Sequence, residues 1–238
     1  MEIIDSHTHW GPSVSMGTEV TTEELLGQAR ESGVHRIVIF PFPSMALADE
    51  GINMRLLVEA EKHREFIPYY YIPEDLRPIP RGNGFFGGKW HWMRGVSDSS
   101  SNYRVLEDPE LDRHIEASEE IGLPIVFEEE FAFTENFVRR TKDLKIIIPH
   151  LGMLGGNPLD FLQAFKDRQN VYFDTALASP GTIMSFINEI GPERILFGSD
   201  VPFGTMKWEL QKVLSLAISD TEKELILSKN IKRLAGLQ

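Results

Sequence analysis

The chain has 238 residues, of which 42% are hydrophobic and 25% charged, and its formal net charge is -12. This profile predicts a soluble globular protein with a sizeable core, and the negative charge argues against nucleic acid and anionic membranes as partners. The absence of cysteine excludes disulfides and thiolate metal ligands. No signal-like segment or apolar run near the ~20 residues of a membrane span is evident, so we expect a cytoplasmic protein. Whether it forms a homo-oligomer stays open.

Short apolar strands alternate with helical patterns along the chain. The region 73–84 is rich in Pro, Gly and Arg and has no helical period, which indicates that the third helix has been shortened to a loop. The loops 45–51 and 97–102 are candidate lids. We predict helices at 21–33, 52–63, 108–121, 134–142, 158–166, 182–190 and 207–237, the last with a break near 219. We predict strands at 3–10, 35–40, 66–72, 85–92, 124–128, 144–150, 171–174 and 195–200.

This alternation predicts one (β/α)₈ TIM barrel, a single domain over residues 1–238, because no linker or internal repeat divides the chain. A doubly wound open sheet explains the alternation almost as well. Two observations favour the barrel. The strand count comes to eight, and no Gly-x-Gly-x-x-Gly follows the first strand.

Most predicted strands end in an ionisable or strongly polar residue. Parallel barrel strands all point the same way, so these residues should gather at the C-terminal mouth, where barrel enzymes carry their chemistry. Charged groups there are costly unless they are paired or bound to a cation. On the opening strand, alternation places Asp5, His7 and His9 on one face, and imidazole with carboxylate suits borderline metals such as zinc. The strand-end residues are His7, His9, Lys89, His91, Glu128, His150, Asp174 and Asp200.

Motifs along nearly the whole chain resemble the metal-dependent amidohydrolase superfamily, in the amidohydrolase 2 branch that includes aromatic-acid decarboxylases. The resemblance implies a barrel hydrolase that uses a divalent metal, zinc or manganese, as one or two ions, and acts on a small molecule. The motifs are IIDSHTHWG at the start, GGKWH at 87–91, LPIVF at 123–127, IIIPHLG at 146–152, VYFDTA at 171–176 and ILFGSDVPFG at 195–204.

The resemblance also implies individual roles. His7 and His9 would be metal ligands. Asp200 would be a further ligand and would hold or deprotonate an activated water. His150 would polarise the substrate or transfer a proton, or would help to bind a second metal. Taken alone, each residue also has a plainer interpretation, such as a surface histidine or a helix N-cap.

The fifth strand departs from the family pattern. The family usually has His after the LPIVF-like run, whereas this chain has Glu128 at the head of three glutamates. A carboxylate is also a competent ligand, and the added negative charge would favour manganese. A register slip of one residue would turn Glu129 or Glu130 inward instead. We therefore expect Glu128 to be a metal ligand, with that alternative open.

Residues at and after the fourth strand are expected to bind substrate. They are Lys89, His91, Trp92 and Arg94, although core packing is the alternative for the tryptophan. A carbamylated Lys89 bridging two metals is the less favoured alternative, because GGKWH matches the mononuclear branch better. A substrate carboxylate would be anchored by bidentate arginines, for which the candidates are Arg77, Arg81 and Arg94.

Three functions follow from these residues. The first is hydrolysis, in which a metal-activated water attacks an amide, lactone or ester bond of a small, carboxylate-bearing substrate. The second keeps the site and changes the reaction to non-oxidative decarboxylation of an aromatic or unsaturated acid. The third is a catalytically silent binding barrel, for which Glu128 and the shortened third helix are the best support.

Overall fold

Nine strands form one sheet in the computed structural model, which describes residues 1–43, 49, 51–95 and 100–238. The sheet order is β2-β1-β3-β4-β5-β6-β7-β8-β9, with β2 antiparallel to β1 and every other neighbouring pair parallel. The strands are β1 (Ile4–Ser13), β2 (Thr18–Val20), β3 (Arg36–Pro41), β4 (Phe66–Tyr71), β5 (Gly87–His91), β6 (Ile125–Glu128), β7 (Ile146–Ile148), β8 (Val171–Asp174) and β9 (Ile195–Leu196).

Helices connect most of the parallel strands, as the alternating pattern predicts. Residues 72–86, between β4 and β5, contain turns and no helix. The α-helices are α1 (Thr22–Ser32), α2 (Ile52–Lys62), α3 (Glu110–Ile121), α4 (Phe131–Arg140), α5 (Pro158–Phe165), α6 (Pro180–Ile190), α7 (Met206–Leu214), α8 (Asp220–Glu224) and α9 (Asn230–Ala235). Side chains of Thr21, Asn157, Ser179, Thr205 and Ser219 cap the N-termini of their helices.

Backbone hydrogen bonds join β1 to the segment that follows β9. The Ser6 N–H donates to the Phe197 carbonyl at 2.8 Å, and the Asp200 N–H donates to the His7 carbonyl at 2.8 Å. The His9 N–H donates to the Val201 carbonyl at 3.0 Å. These bonds bring the two edges of the parallel set together, so the carboxyl ends of the strands face one mouth.

Apolar side chains pack on both sides of the sheet because successive strand residues point in opposite directions. The larger cluster lies between the strands and the helices. The smaller cluster takes one or two residues from most strands and is joined by Ile231 and Leu234 of α9. A Cβ atom at Gly87 would lie 2.4 Å from the Tyr69 ring, so glycine at this position of β5 allows the two strands to approach closely.

Three local features differ from the sequence expectations. β1 continues past Trp10 and pairs with β2 in a hairpin, which the pattern did not indicate. The pairing of β1 with β3 shifts register between Asp5 and Thr8, so simple alternation does not hold along this strand. The sixth parallel strand, β7, stops at Ile148, because His150 has a φ of 55° and ends the extended backbone.

Within the described ranges, no helix has both the length and the apolar character needed to cross a bilayer. Of the two predicted lids, 45–51 lies mostly outside the described residues, and the first half of 97–102 also lies outside them.

Candidate active site

Three predicted metal ligands converge at the mouth of the sheet. The Nε2 atoms of His7 and His9 each lie 3.3 Å from Oδ1 of Asp200. All three residues are buried, and each offers a ligand atom within 4.8 Å of the others. Asp200 reaches this point because its own N–H is bonded to the His7 carbonyl on β1. The three donors are close enough to hold a single cation.

A second donor group lies beside the first and shares His7 with it. Its other members are Glu128 and His150, and the three ligand atoms also lie within 4.8 Å of one another. The His150 Nε2 atom is 3.7 Å from Oε1 of Glu128 and 3.9 Å from Oδ2 of Asp200. The site therefore offers donor sets for one ion or for two.

Asp174 accepts hydrogen bonds from both His7 and His150. Its Oδ2 accepts a 2.8 Å hydrogen bond from Nδ1 of His7, and its Oδ1 accepts one of 3.0 Å from the His150 N–H. Burial alone would raise the pKa of Asp174, but the neighbouring His7 keeps it below its ordinary value. Because a carboxylate only accepts, Nδ1 of His7 carries the proton and Nε2 presents its lone pair to Asp200. Asp174 therefore orients the His7 ring and fixes the His150 backbone.

The His7 and Asp200 atoms that face each other fit a divalent cation. The His7 Nε2 and the Asp200 Oδ1 are buried, and neither makes a hydrogen bond to the described part of the chain. Both atoms are electron-rich, so they repel at 3.3 Å unless a proton or a cation lies between them. Nitrogen and carboxylate oxygen donors suit zinc, and the additional carboxylate of Glu128 suits manganese as well.

Glu128 forms a buried ion pair with Lys89. Their Oε2 and Nζ atoms are 2.5 Å apart, with side-chain exposures of 6% and 0%. Burial would raise the pKa of Glu128, but the Lys89 ammonium holds it well below its usual range. The His91 Nε2 atom lies 3.5 Å from the same carboxylate oxygen, and burial lowers the pKa of His91 to about 3. Of these two expected substrate contacts, His91 faces the site, whereas Lys89 is fully buried and already bound to Glu128.

The register question at the three glutamates is answered by Glu129, which points away from the histidines. It accepts hydrogen bonds from Nε1 of Trp90 at 2.8 Å, from the Met93 N–H at 2.6 Å and from Oγ of Ser101 at 2.6 Å. Glu128 is thus the member of the run that faces the site. Glu129 also joins the segments on either side of residues 96–99, a role that no sequence pattern indicated.

A cavity of about 340 Å³ opens above the donor groups. Its floor includes His9, His91, Glu128, His150 and Asp200. Two serines of the β1–β2 hairpin and six apolar residues form the rest of the wall. These six could not be identified from the sequence, because apolar loop residues look like core residues until the fold is known. The wall residues are Ser13 and Ser15, with Met16, Phe42, Pro43, Leu154, Leu177 and Phe203.

Among the described residues that line this cavity, the expected substrate contacts Trp92 and Arg94 are absent. Trp92 is 5% exposed and packs edge-on against His91 with ring centroids 6.2 Å apart. The Arg94 guanidinium donates to Asp108 at 2.5 Å and to the Glu74 carbonyl at 2.7 Å. Both residues follow the end of β5, where the chain turns at positive φ and leaves the direction of the strand.

The other two arginines are also engaged elsewhere, so the expected anchor for a substrate carboxylate is not found. Arg77 pairs with Asp75 at 2.6 Å, and Arg81 pairs with Glu120 at 2.8 Å. Neither lines the cavity. Each arginine pairs with a carboxylate on the protein surface. Its position in the sequence close to a strand end therefore did not indicate a contact with substrate.

Comparison with known proteins places this site in a family. The amidohydrolase 2 family model, described as amidohydrolase, matches residues 4–237. The chain belongs to the amidohydrolase family. Membership confirms the resemblance found in the sequence and the prediction that this amidohydrolase is an enzyme. Among curated proteins, none matches the chain by sequence.

Solved structures share the fold of this amidohydrolase at low sequence identity. An amidohydrolase from Burkholderia multivorans with bound zinc aligns with a TM-score of 0.79 and 13% identity, covering 100% of both chains. A dihydroxybenzoic acid decarboxylase from Polaromonas sp. JS666, with manganese and 2-nitroresorcinol, aligns with a TM-score of 0.78 and 14% identity, covering 99% of this chain and 97% of the other. A probable 2-pyrone-4,6-dicarboxylic acid hydrolase from Acinetobacter baumannii, with citric acid, aligns with a TM-score of 0.76 and 14% identity, covering 99% of this chain and 100% of the other.

These likenesses show a shared fold. The two metals seen in the neighbours, zinc and manganese, are also the two expected here from the donor types. The neighbours include a decarboxylase and a hydrolase, so family membership leaves the reaction open.

Proposed function

We propose that this amidohydrolase is a metal-dependent hydrolase that cleaves an amide, lactone or ester bond of a small substrate. The observation that carries the proposal is the buried convergence of His7, His9 and Asp200, in which the His7 Nε2 and the Asp200 Oδ1 face each other without a hydrogen-bond partner in the described structure. Such an arrangement is costly in a folded protein unless a cation completes it.

His7, His9 and Asp200 would hold the cation, with Glu128 as a further ligand. When bound, a divalent cation supplies Lewis acidity and lowers the pKa of a coordinated water to about 7. Asp174 fixes the His7 ring so that its Nε2 lone pair faces the ion position. Because the donors include two carboxylates, the site accepts zinc or manganese, as one or two ions.

Asp200 is placed to move a proton as well as to bind. Its Oδ1 faces the two histidines of β1, while its Oδ2 faces His150 at 3.9 Å. One oxygen can therefore hold the cation while the other accepts the proton of the attacking water. This separation of the two oxygens favours water activation, and hence hydrolysis.

His150 stands on the opposite side of the carboxylate. Its Nδ1 lies 3.3 Å from the Ala176 carbonyl, which can only accept, so Nδ1 carries the proton and Nε2 is turned to the cavity. The backbone N–H of His150 is tied to Asp174. We assign to the His150 Nε2 the uptake of the proton that Asp200 accepts from the attacking water. Once protonated, this nitrogen stabilises the negative charge that develops on the substrate and passes the proton to the leaving group.

Decarboxylation is the second candidate, and the aromatic wall of the cavity favours it. Phe42 lies parallel to His9 with ring centroids 4.6 Å apart, and Phe203 meets the same histidine edge-on at 5.8 Å. These rings would suit a planar aromatic acid. Asp200 or His150 would then protonate carbon. Release of carbon dioxide from a dihydroxybenzoate, without hydrolysis of esters or lactones, would favour this reaction.

Metal analysis of protein purified without a histidine tag tests the proposal and the silent-barrel alternative together. We expect about one or two equivalents of zinc or manganese in the wild type and much less in Asp200→Asn. His63→Ala, which removes a histidine outside the site, is the matched control and should keep its metal. Failure of the wild type to hold or take up metal would overturn the hydrolase proposal and favour a binding barrel.

Glu128 needs a variant that does not leave Lys89 unpaired. We therefore pair Glu128→Gln with the double variant Glu128→Gln/Lys89→Met. Loss of metal from both would make Glu128 a ligand, whereas retention in both would leave the role to His7, His9 and Asp200. Hydrolysis of a lactone and ester panel by the metal-loaded wild type, abolished in Asp200→Asn, then tests the reaction itself.

We also propose that the chain is one (β/α)₈ barrel domain with a reduced third helix. The bonds between β1 and residues 197–201 and the helix-free connection 72–86 support this. A small-molecule substrate, the absence of nucleic-acid partners and a cytoplasmic location stay predictions from composition.

A further inference from the structure

The cavity above the donor groups has a sharp division of chemistry between floor and wall. The floor carries the histidines and carboxylates assigned to the metal site. The wall is formed by six apolar side chains and by the hydroxyls of Ser13 and Ser15. Any part of a substrate that extends away from the reacting bond must therefore lie against an apolar surface.

No lysine or arginine lines the cavity within the described part of the chain. Arg94 is bound to Asp108, and the two remaining candidate arginines pair with carboxylates of their own. Lys89 lies beneath the floor with no exposed surface and is paired with Glu128. A second carboxylate on the substrate would thus find no cation on this chain's wall.

The segments that the structure leaves undescribed do not change this conclusion. Residues 44–48, 50 and 96–99 read SMALA, E and VSDS in the sequence, and none of them is lysine, arginine or histidine. Two of them, Glu50 and Asp98, are acidic. Whatever their positions, these segments supply no positive charge to the cavity.

The mouth of the cavity also exposes apolar surface that a ligand would cover. Phe203 is 56% exposed, Leu154 is 49% exposed and Met16 is 42% exposed, and all three line the cavity. Grouped exposed apolar side chains of this kind mark binding grooves. The volume of about 340 Å³ is roughly twice that of the ~150 Å³ apolar cavity that holds one benzene.

We infer that the cavity takes a substrate whose body, beyond the reacting bond, is apolar and uncharged, such as an aryl or alkyl ester or lactone without a further carboxylate. This inference rests on the proposed function for the position of the reacting bond. It replaces the carboxylate-bearing substrate expected from the sequence. The selectivity arises because a carboxylate on the wall would lose its hydration without gaining a charged partner.

Two matched probes test the inference without requiring turnover. Benzohydroxamate and 4-carboxybenzohydroxamate carry the same metal-binding group and differ by one carboxylate. We expect the zinc-loaded wild type to bind the uncharged ring at least ~10-fold more tightly in calorimetry, since unpaired buried charges are strongly disfavoured. Equal or tighter binding of the carboxylated probe would overturn the inference, as would failure of both probes to bind.

One added arginine should reverse the preference. Leu154→Arg places a guanidinium on the cavity wall and should improve binding of the carboxylated probe at least ~5-fold relative to the other. Leu159→Arg is the matched control, because Leu159 is 50% exposed and lies on α5 outside the cavity. An unchanged ratio in Leu154→Arg, or the same change in both folded variants, would count against the assigned wall.

Turnover separates this inference from the proposed function. Phenyl acetate and 4-acetoxybenzoate are the corresponding esters, and we expect kcat/KM to favour phenyl acetate at least ~10-fold. If no ester or lactone is hydrolysed while the binding preference persists, the hydrolase proposal fails and the inference about the cavity stands. If both esters are hydrolysed with equal kcat/KM, the hydrolase proposal stands and the inference fails.

Discussion

Removing the positive charge of Lys89 should be the most damaging single change among the residues around the site. In the wild type the two side chains are 2.5 Å apart and nearly inaccessible to water. Lys89→Met therefore leaves the Glu128 carboxylate buried without a positively charged partner. At an effective dielectric constant of ~20, two unit charges at this distance attract by roughly 7 kcal/mol. Desolvation offsets part of this attraction, so we expect a loss of about 3–5 kcal/mol in the free energy of unfolding. A loss of this size corresponds to a fall in Tm of about 6–20 °C in a chain of this length.

The measurement is urea denaturation followed by tryptophan fluorescence, with chelator present so that bound metal does not contribute. Lys89→Met and Glu128→Gln should each be strongly destabilised. The double variant should lose less than the sum of the two by at least ~2 kcal/mol. The control is Lys166→Met, which breaks a half-exposed pair with Glu189 and should cost less than ~1 kcal/mol.

Two results would refute this reasoning. If Lys89→Met lowers the free energy of unfolding by less than ~1 kcal/mol, the Glu128 carboxylate gains contact with water or with another partner once Lys89 is removed. Simple additivity in the double variant would mean that the two side chains act independently. Adding zinc to Lys89→Met provides a further check. If Glu128 is a ligand, bound metal should restore part of the lost stability by replacing the missing positive charge.

Three further predictions concern orientation, pH and packing. Asp174→Asn should weaken zinc binding by about 10–100-fold in a competition titration, because His7 loses the carboxylate that orients its ring; wild-type affinity would contradict this. Burial lowers the pKa of His114, so its proton binds more readily in the unfolded chain. Stability should therefore fall as pH drops below ~6.5, by up to about 1.4 kcal/mol per pH unit, and His114→Gln should flatten that slope in denaturation curves; a slope unchanged by the substitution would refute the assignment. Gly87→Ala should lower the free energy of unfolding by about 1–3 kcal/mol in urea denaturation, because its Cβ would lie 2.4 Å from a tyrosine ring. Gly27→Ala is the control: the nearest atom to its Cβ is 4.0 Å away, so stability should be unchanged or higher. Similar effects of the two substitutions would show that the ring moves aside.

The arrangement of the donor residues could be predicted because two simple rules act on them. Side chains at the carboxyl ends of parallel strands meet at one mouth, and this brought Glu128, His150 and Asp200 to the histidines of β1. The chemistry of those side chains then indicated a cation. The choice of Glu128 over Glu129 and Glu130 stayed open in the sequence. In the structure, β6 keeps a regular register with β5 up to Glu128, which therefore faces the site.

The substrate side could not be predicted in the same way, because it depends on loops. Trp92 and Arg94 follow a strand end by only one to three residues, yet positive φ values turn both away from the cavity wall. Conversely, Met16 and Leu154 belong to none of the motifs, yet they reach the wall through a hairpin and a turn. Apolar residues in loops carry no periodicity that distinguishes a binding surface from a core.

The two halves of β1 pair with different strands, and this affects how the protein could acquire new specificities. Up to Trp10 the strand is paired with β3 and carries both histidine donors, whereas from Gly11 onward it pairs only with β2. Insertions or deletions before Trp10 would displace the ion-binding atoms, so that half of the strand is fixed in length. Beyond Gly11, changes in the hairpin would reshape the entrance while leaving the catalytic machinery in register. A single strand thus separates an invariable reactive half from a half on which substrate choice is free to diversify.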